Sequence, residues 1–554
     1  MSNILHIDVR LAELLRELLG SDGERLPAPA LRWEMPKDAG LGDLSNASPF
    51  RLAAARRQPP ASIAGELAGA LSARARDTDI GPWLDRIEPA HGYINVFLSQ
   101  AALTQVVRDI LRQGRRYGCV SRAASPAVDI EFVSANPTGP LSVAHGRQAA
   151  VGDVLARLLR SQGVRVTREY YINDEGRQIE MLGRSLLARC RELLGQPAPF
   201  PEDGYHGAYV VELARRCVQE FGRAWIERPE AAVLPRLTRL AKREMLSRIR
   251  ADLERFGLRF ERWSSQRWIR TSGRLKEALA ALREQEALYE QDGAMWFASS
   301  RYGDDKDRVV RKTDGELTYL APDIAYHRWK FARGYGSIVN LWGPDHHGYI
   351  ARLKAAVSAL GLPVERLDVR IVQLVTLSRG GKPVPMSKRQ GEFVTFREVL
   401  DEVGVDATRF FFLMRTMDSH LDFDLDLAKS QSQDNPVYYV QYAHARISSI
   451  LAKAPAGARR PPLERLEEPE TRQLIRALFQ YPVVLRLCAS ALEPHGVTVY
   501  LRRLAEHFHV FYTKHRVISD DAGLTAARLA LVRAARQVLA NGLGILGVNA
   551  PERM

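Results

Sequence analysis

The stretch AVDIEFVSANPTGPLSVAHGRQAAVGDVLARLLRSQGVRVTREYYI, residues 127–172, decides the fold. AVDIEFVSAN reads as a strand, PTGPLS as a Pro/Gly turn, residues 144–163 as a helix by their apolar periodicity, and VRVTREYYI as a second strand. Strand, helix and strand in that order make one βαβ unit of a parallel sheet, since parallel strands need a crossover to bring the chain back. In such sheets ligands bind beyond the carboxyl ends of the strands, where helix N-termini offer unpaired N–H groups to phosphates. The turn from Asn136 to Gly146 lies at such a place, and His145 on the first helical turn is placed to donate to a phosphate oxygen. A histidine there also serves as a helix cap or a satisfied core residue, so the physics permits a nucleotide site without demanding one.

Outward from this unit the pattern changes. Residues 1–115 mix helical runs with a strand-like GYINVFLS at 92–99 and a polar turn, PKDAGLGDLSN, at 36–46, which predicts a small α+β domain. A charged helical stretch at about 176–285 interrupts the α/β pattern, and strands return in SIVNLWGPD and VRIVQLVTL. Beyond 420 only helical periodicity remains, broken by the Pro-rich AKAPAGARRPPLERLEEPE at 452–470. A chain of 554 residues exceeds what one core serves, and three domains are expected.

Composition narrows the class. No apolar run of about 18 residues offers a bilayer span, so a membrane role is disfavoured. The N-terminal MSNILHIDVRLAELLRELLG, with Asp8 and Glu13, reads as an amphipathic helix and not as a signal peptide, which predicts a cytoplasmic chain. Cys119, Cys190, Cys217 and Cys488 form no C-x-x-C pair, so a disulfide framework and a zinc knuckle are both disfavoured and buried thiols are expected. A formal charge of +14 suits a polyanionic partner, although the surplus is diffuse and an Arg-rich composition alone would produce it.

The motifs carry a resemblance. EFVSANPTGPLSVAHGR resembles the ANPTGPLHVGHGR signature of arginyl-tRNA synthetases, which contains the class I H-I-G-H element, and MSKRQGEFVTFREVLDEVGVDATRFFFLMR at 386–415 resembles their K-M-S-K loop and the segment after it. EYYINDEGRQI, GELTYLAPDIAYHRWKF, LWGPDHHGYIARL, NPVYYVQYAHARI, the terminal ARQVLANGLGILGVNAPERM, and PKDAGLGDLSN with GYINVFLS are similar to the same family in the same order. The resemblance implies a Rossmann-type parallel-sheet catalytic domain at 116–420 with an inserted helical region at about 176–285. It also implies a tRNA-contacting α+β domain at 1–115 and an α-helical anticodon-binding domain at 421–554. The implied reaction activates L-arginine with ATP and ligates it to tRNA(Arg), releasing AMP and pyrophosphate. Mg²⁺ would accompany the ATP with no fixed protein metal site, and the implied enzyme is a cytoplasmic monomer.

Carried onto this sequence, the resemblance implies arginine contacts at Glu131, Ser134, Asn136, Tyr319 and Asp323. A guanidinium is a planar fork of donors, so a carboxylate that accepts it in two places and an aromatic that fixes its plane suit arginine and not lysine. At a spacing of four on a helix, Tyr319 and Asp323 would share a face. ATP contacts are implied at Ser142, Ala144, His145, Gly343, Asp345, His346, Met386 and Lys388, with His145, Ser387 and Lys388 stabilising charge on the phosphates. Tyr438, Tyr439 and Tyr442 are implied stacking partners for unpaired bases, a spacing that a packed helix face also shows.

Two places depart from the signature. The chain reads Ser142-Val143-Ala144-His145 where the family has His-Val-Gly-His, and Pro385 where K-M-S-K has its first lysine. Ser142 is shorter than histidine, and the Ala144 methyl occupies space that glycine leaves open for adenine. One lost charge-assisted contact predicts a rate lower by about 10- to 100-fold. The alternative is a paralogue with weakened or lost charging, acting in regulation or in a secondary biosynthetic pathway.

Overall fold

Five short runs build the central sheet: Val128–Glu131 (β1), Val166–Ile172 (β2), Arg262–Ser265 (β3), Ser337–Trp342 (β4) and Leu367–Ile371 (β5). The computed structural model describes residues 6–34, 36, 38–121, 126–196, 199–384, 394–455 and 460–554. The strands lie in the order β5-β4-β1-β2-β3, each parallel to its neighbours. From the central pair β1 and β4, where Glu131 faces Asn340, the chain steps outward to β2 on one side and to β5 on the other. This reversal is the switch point at which an open parallel sheet leaves a crevice beyond its carboxyl ends.

Helix α1 (Val143–Ser161) makes the β1–β2 crossover, α2 (Leu320–Ala332) precedes β4, and α3 (Ile350–Ala359) joins β4 to β5. Two glycines let α1 approach its neighbours. A methyl group on Gly152 would lie 2.3 Å from the Phe132 ring, and one on Gly146 would lie 2.4 Å from the ring of Phe396. Phe396 opens α4 (Phe396–Val403), followed by α5 (Val405–Phe412). A second, three-stranded sheet is formed by Val375–Arg379 (β6), Lys382–Pro383 (β7) and Leu421–Asp424 (β8) in the order β7-β6-β8. The buried Arg147 of α1 reaches into it: Nη1 donates to the carbonyls of Gln373, Leu374 and Ser419 at 2.9, 3.3 and 2.8 Å, and Nη2 to that of Thr416 at 2.9 Å.

The stretch expected to be helical at about 176–285 is so in helices Arg177–Leu193, Ala208–Phe221, Arg223–Ile226 and Glu230–Arg255, around an apolar core of their own, and again in Gln266–Thr271 and Arg274–Glu284. Within it, however, Arg262–Ser265 is the edge strand β3, too short and too polar for its alternation to be visible. An antiparallel sheet of Leu288–Gln291, Ala294–Phe297 and Arg308–Arg311 then precedes α2.

By its contacts the chain divides into two compact units, residues 122–430 and residues 1–121 together with 431–554. The second holds a three-stranded antiparallel sheet, with Tyr93–Leu98 between Leu44–Asn46 and Leu84–Ala90, where the sequence pattern indicates one strand. Its helices Pro469–Ala491 and Ala522–Leu546 are long and apolar enough to cross a membrane by length and composition, but most of each is buried in the bundle. Cys190, Cys217 and Cys488 are buried as expected, whereas Cys119 is exposed.

Candidate active site

The site begins with an unusual strand. In β1 the side chains of Asp129 and Glu131 are buried, a placement that costs several kcal/mol per charge unless cations compensate. Lys330 of α2, itself without exposed surface, supplies the compensation: Nζ lies 2.9 Å from Glu131 Oε2 and 3.1 Å from Asp129 Oδ2, and it also donates to Asn340 Oδ1 at 2.9 Å. Arg333 donates to Glu169 Oε2 at 2.6 Å. Burial pushes the Asp129 carboxyl above its usual range; burial would raise Glu169 too, but Lys330 and Arg333 hold it low. The network continues through Asn340, whose Nδ2 donates to His327 Nε2 at 2.8 Å, so that His327 Nδ1 donates to the Asp323 carbonyl at 2.8 Å. Burial drives the His327 imidazole down to about 4, and it stays neutral.

Beyond Glu131 the backbone turns through left-handed conformations at Val133 and Ser134, with φ of 68° and 37°. This turn brings Ser134 Oγ back to donate to Glu131 Oε1 at 3.1 Å while accepting from the Tyr171 amide at 3.1 Å. Asn136 accepts from Asn173 Nδ2 at 2.7 Å and donates to Gln178 Oε1 at 2.7 Å. Glu131, Ser134 and Asn136 thus occupy one turn at the carboxyl end of β1, each held by hydrogen bonds.

Asp323 lies on the first turn of α2, in the field of Glu131. Burial raises its carboxyl to about 7, opposed by a 2.8 Å hydrogen bond donated to Oδ2 by the Tyr349 hydroxyl. Tyr319, at helical spacing from Asp323, is 77% exposed. The aromatic on the carboxylate is therefore Tyr349, which sequence spacing misses because it lies 26 residues away, across β4. Tyr171 escapes sequence reasoning as well. It stacks on Tyr326 with ring centroids 4.2 Å apart, and its buried hydroxyl has no hydrogen-bond partner among the described residues. The charges of Asp323 and Glu131 both act on it.

At the start of α1, Ser142 is the N-cap and forms a capping box with His145. The Ser142 amide donates to His145 Nδ1 at 3.1 Å, and the Ser142 hydroxyl lies 2.9 Å from the same nitrogen. The sequence leaves both the cap and the phosphate readings of His145 open; the cap is present, and it is made through Nδ1. Ala144 is half-buried on the same turn. Gly343, Asp345 and His346 follow the carboxyl end of β4, with His346 Nδ1 3.3 Å from Asp345 Oδ1 and both side chains exposed. Met386, Ser387 and Lys388 lie outside the described residues. Just after them, Thr395 forms an isolated bridge to Ser142, and the Phe396 amide donates to the Leu141 carbonyl at 2.8 Å.

In the other unit, Tyr438, Tyr439 and Tyr442 lie half-buried on the helix Pro436–Ala452. Tyr438 stacks on Tyr442 at 6.1 Å and 14°, and His509 packs against Tyr439 at 4.8 Å and Tyr442 at 6.0 Å. The guanidinium of Arg446 lies 5.5 Å from the Tyr442 ring centre.

A parallel sheet with a switch point, a capped helix start bearing histidine there and a K-M-S-K-like segment are the parts of a class I aminoacyl-tRNA synthetase. The family description "tRNA synthetases class I (R), catalytic domain" matches residues 106–416, "Arginyl tRNA synthetase N terminal domain" matches 6–98, and "DALR anticodon binding domain" matches 440–554. Arginine–tRNA ligase of Desulfosudis oleivorans is 47% identical over 534 residues, 95% of each chain. That of Carboxydothermus hydrogenoformans is 45% identical, covering 95% of this chain and 94% of its own. The solved arginyl-tRNA synthetase of Thermus thermophilus superposes with a TM-score of 0.78 at 25% identity over 99% of both chains. The chain belongs to the arginyl-tRNA synthetase family.

Proposed function

We propose that the protein activates L-arginine with ATP and transfers it to tRNA(Arg), as an arginine–tRNA ligase. The observation that carries the reading to arginine is Asp323, a part-buried carboxyl raised to about 7 that has one hydroxyl donor and lies in the field of Glu131. A guanidinium relieves both the burial and the mutual repulsion, through charge-assisted bonds to a planar fork. Glu131, Ser134 and Asn136 then receive the amino-acid end of the substrate, and Tyr319 covers it from the exposed side.

ATP occupies the crevice between the ends of β1 and β4, with its adenosine against Ala144, Gly343, Asp345 and His346 and its phosphates at His145, beside Ser142. Met386, Ser387 and Lys388 contribute to the ATP site, and the charge of Lys388 at the triphosphate favours departure of pyrophosphate. Mg²⁺ arrives with the nucleotide and not in a fixed protein site. Residues 1–115 contact tRNA, 116–420 carry the catalysis and 421–554 bind the anticodon, with Tyr438, Tyr439 and Tyr442 stacking on unpaired bases. The enzyme works as a monomer in the cytoplasm. Aminoacylation of tRNA(Arg) with labelled arginine and ATP tests this reading, and failure to form arginyl-tRNA overturns it.

A further inference from the structure

We propose that Ser142 is a positioning residue for His145, its amide and hydroxyl together holding the imidazole in the tautomer that carries its proton on Nε2. The proposal rests on the reading of His145 as a phosphate contact. A backbone N–H can only donate, so the 3.1 Å contact from the Ser142 amide makes His145 Nδ1 an acceptor. The hydroxyl, 2.9 Å from the same nitrogen, is satisfied by donating to it too. A neutral imidazole whose Nδ1 accepts must be protonated at Nε2. The positive end of the α1 dipole, at whose first turn the ring lies, disfavours the doubly protonated form.

Ser142 is itself held in place. The residue before it accepts from the Phe396 amide at 2.8 Å, Ser142 bridges to Thr395, and Thr395 is capped in turn by Glu398, which accepts from its amide at 2.6 Å and its hydroxyl at 2.8 Å. The donors that fix the imidazole therefore belong to a backbone that two elements define.

Serine in place of the first histidine of the signature thus exchanges one function for another. The hydroxyl works through His145, where a histidine at 142 would keep the amide bond but lose the hydroxyl donor. Ser142→His accordingly brings no gain in ATP use.

The test is ¹⁵N NMR of the full chain labelled at histidine, with the His145 signals assigned by their loss in His145→Gln. In the unmodified protein His145 is expected to show an unprotonated Nδ1 and a protonated Nε2. Ser142→Ala is expected to add the other tautomer and to lower kcat of the ATP-dependent step by about 3- to 10-fold, the worth of one hydrogen bond, while Ser142→Thr restores both readouts. A proton on Nδ1 in the unmodified protein overturns the proposal, as does a Ser142→Ala variant with unchanged spectrum and kcat. If His145→Gln leaves kcat intact, the phosphate reading of His145 fails instead, and the NMR result still decides the tautomer.

Discussion

The Tyr349 hydroxyl donates to Asp323 Oδ2 across 2.8 Å, joining the start of α2 to the turn after β4. With one oxygen engaged, the carboxylate cannot rotate freely, and its second oxygen is directed by the first. Tyr349→Phe is expected to raise the KM for arginine by about 10-fold with a smaller change in kcat, and Asp323→Ala by about 10- to 100-fold, since a charged hydrogen bond contributes about 1.5–3 kcal/mol. Steady-state charging at varied arginine measures both. An Asp323→Ala enzyme with unchanged KM would remove that residue from the arginine site.

Acidity should act on the same step. The folded-state value of Asp323 is raised to about 7, so the carboxyl is ionised above that pH and neutral below it. Only the ionised form pairs with a guanidinium. The KM for arginine should therefore climb as pH falls through 7, approaching tenfold per unit, and arginine should raise the melting temperature more at pH 8 than at pH 6. Stabilisation that is equal at the two values would contradict this.

Analogues probe the pocket without mutation. Citrulline keeps the length of arginine but replaces the cation with a neutral urea, leaving Asp323 without a counter-charge. A polar site whose groups are left unpaired rejects such an analogue by about 10⁴-fold. Measurable transfer of citrulline to tRNA at a rate close to that of arginine would count against the assignment.

Lys330 supports the site from beneath. Lys330→Met leaves Asp129 and Glu131 buried with too little positive charge, and the loss should be about 3–5 kcal/mol of folding free energy. Thermal denaturation would register it as a lower midpoint, accompanied by weaker arginine binding as Glu131 shifts. An unaltered midpoint would mean that water or protonation replaces the lysine at little cost.

Association with tRNA should weaken as salt rises, in proportion to the phosphates neutralised. Tyr442→Ala should raise the KM for tRNA and spare that for arginine, because base stacking on one aromatic contributes about 1–3 kcal/mol. A matching rise in both constants would point to damage of the helix face on which Tyr438, Tyr442 and His509 stack.

Sequence patterns expose what local physics controls. The β1–turn–α1 junction is legible because proline and glycine punctuate it and the period changes from strand to helix across it. β3 is hidden, since four residues at a sheet edge carry too little alternation to detect. The antiparallel sheet at 288–311 has a signal that the periodicity reading passes over: Asp292-Gly293, both at positive φ, is the two-residue turn that pairs Gln291 with Ala294. At the site, Glu131, Ser134 and Asn136 share one turn and can be read together. Tyr349 owes its place on Asp323 to the way the chain returns through β4, which no local spacing encodes. Ser142 looks like a defect when only its side-chain length is weighed; its bond to His145 depends on backbone direction.

Arg147, next to the signature's last glycine, gathers four carbonyls of the two segments that enter β6 and β8 into the reach of one guanidinium. Burial lowers it only to about 10, so it stays charged at neutral pH. This arrangement makes the fastening of β6 and β8 depend on α1. The segments entering β6 and β8 come from opposite ends of a long excursion of the chain, and the side chain that fastens them belongs to a helix made much earlier. Without a seated α1 these carbonyls lose their donor, so the two segments are expected to lock late. In pulse-labelled hydrogen exchange during refolding, amides of α1 should become protected first and those of β6 and β8 together afterwards, and Arg147→Lys, with a single ammonium in place of the fork, should delay the second event while sparing the first.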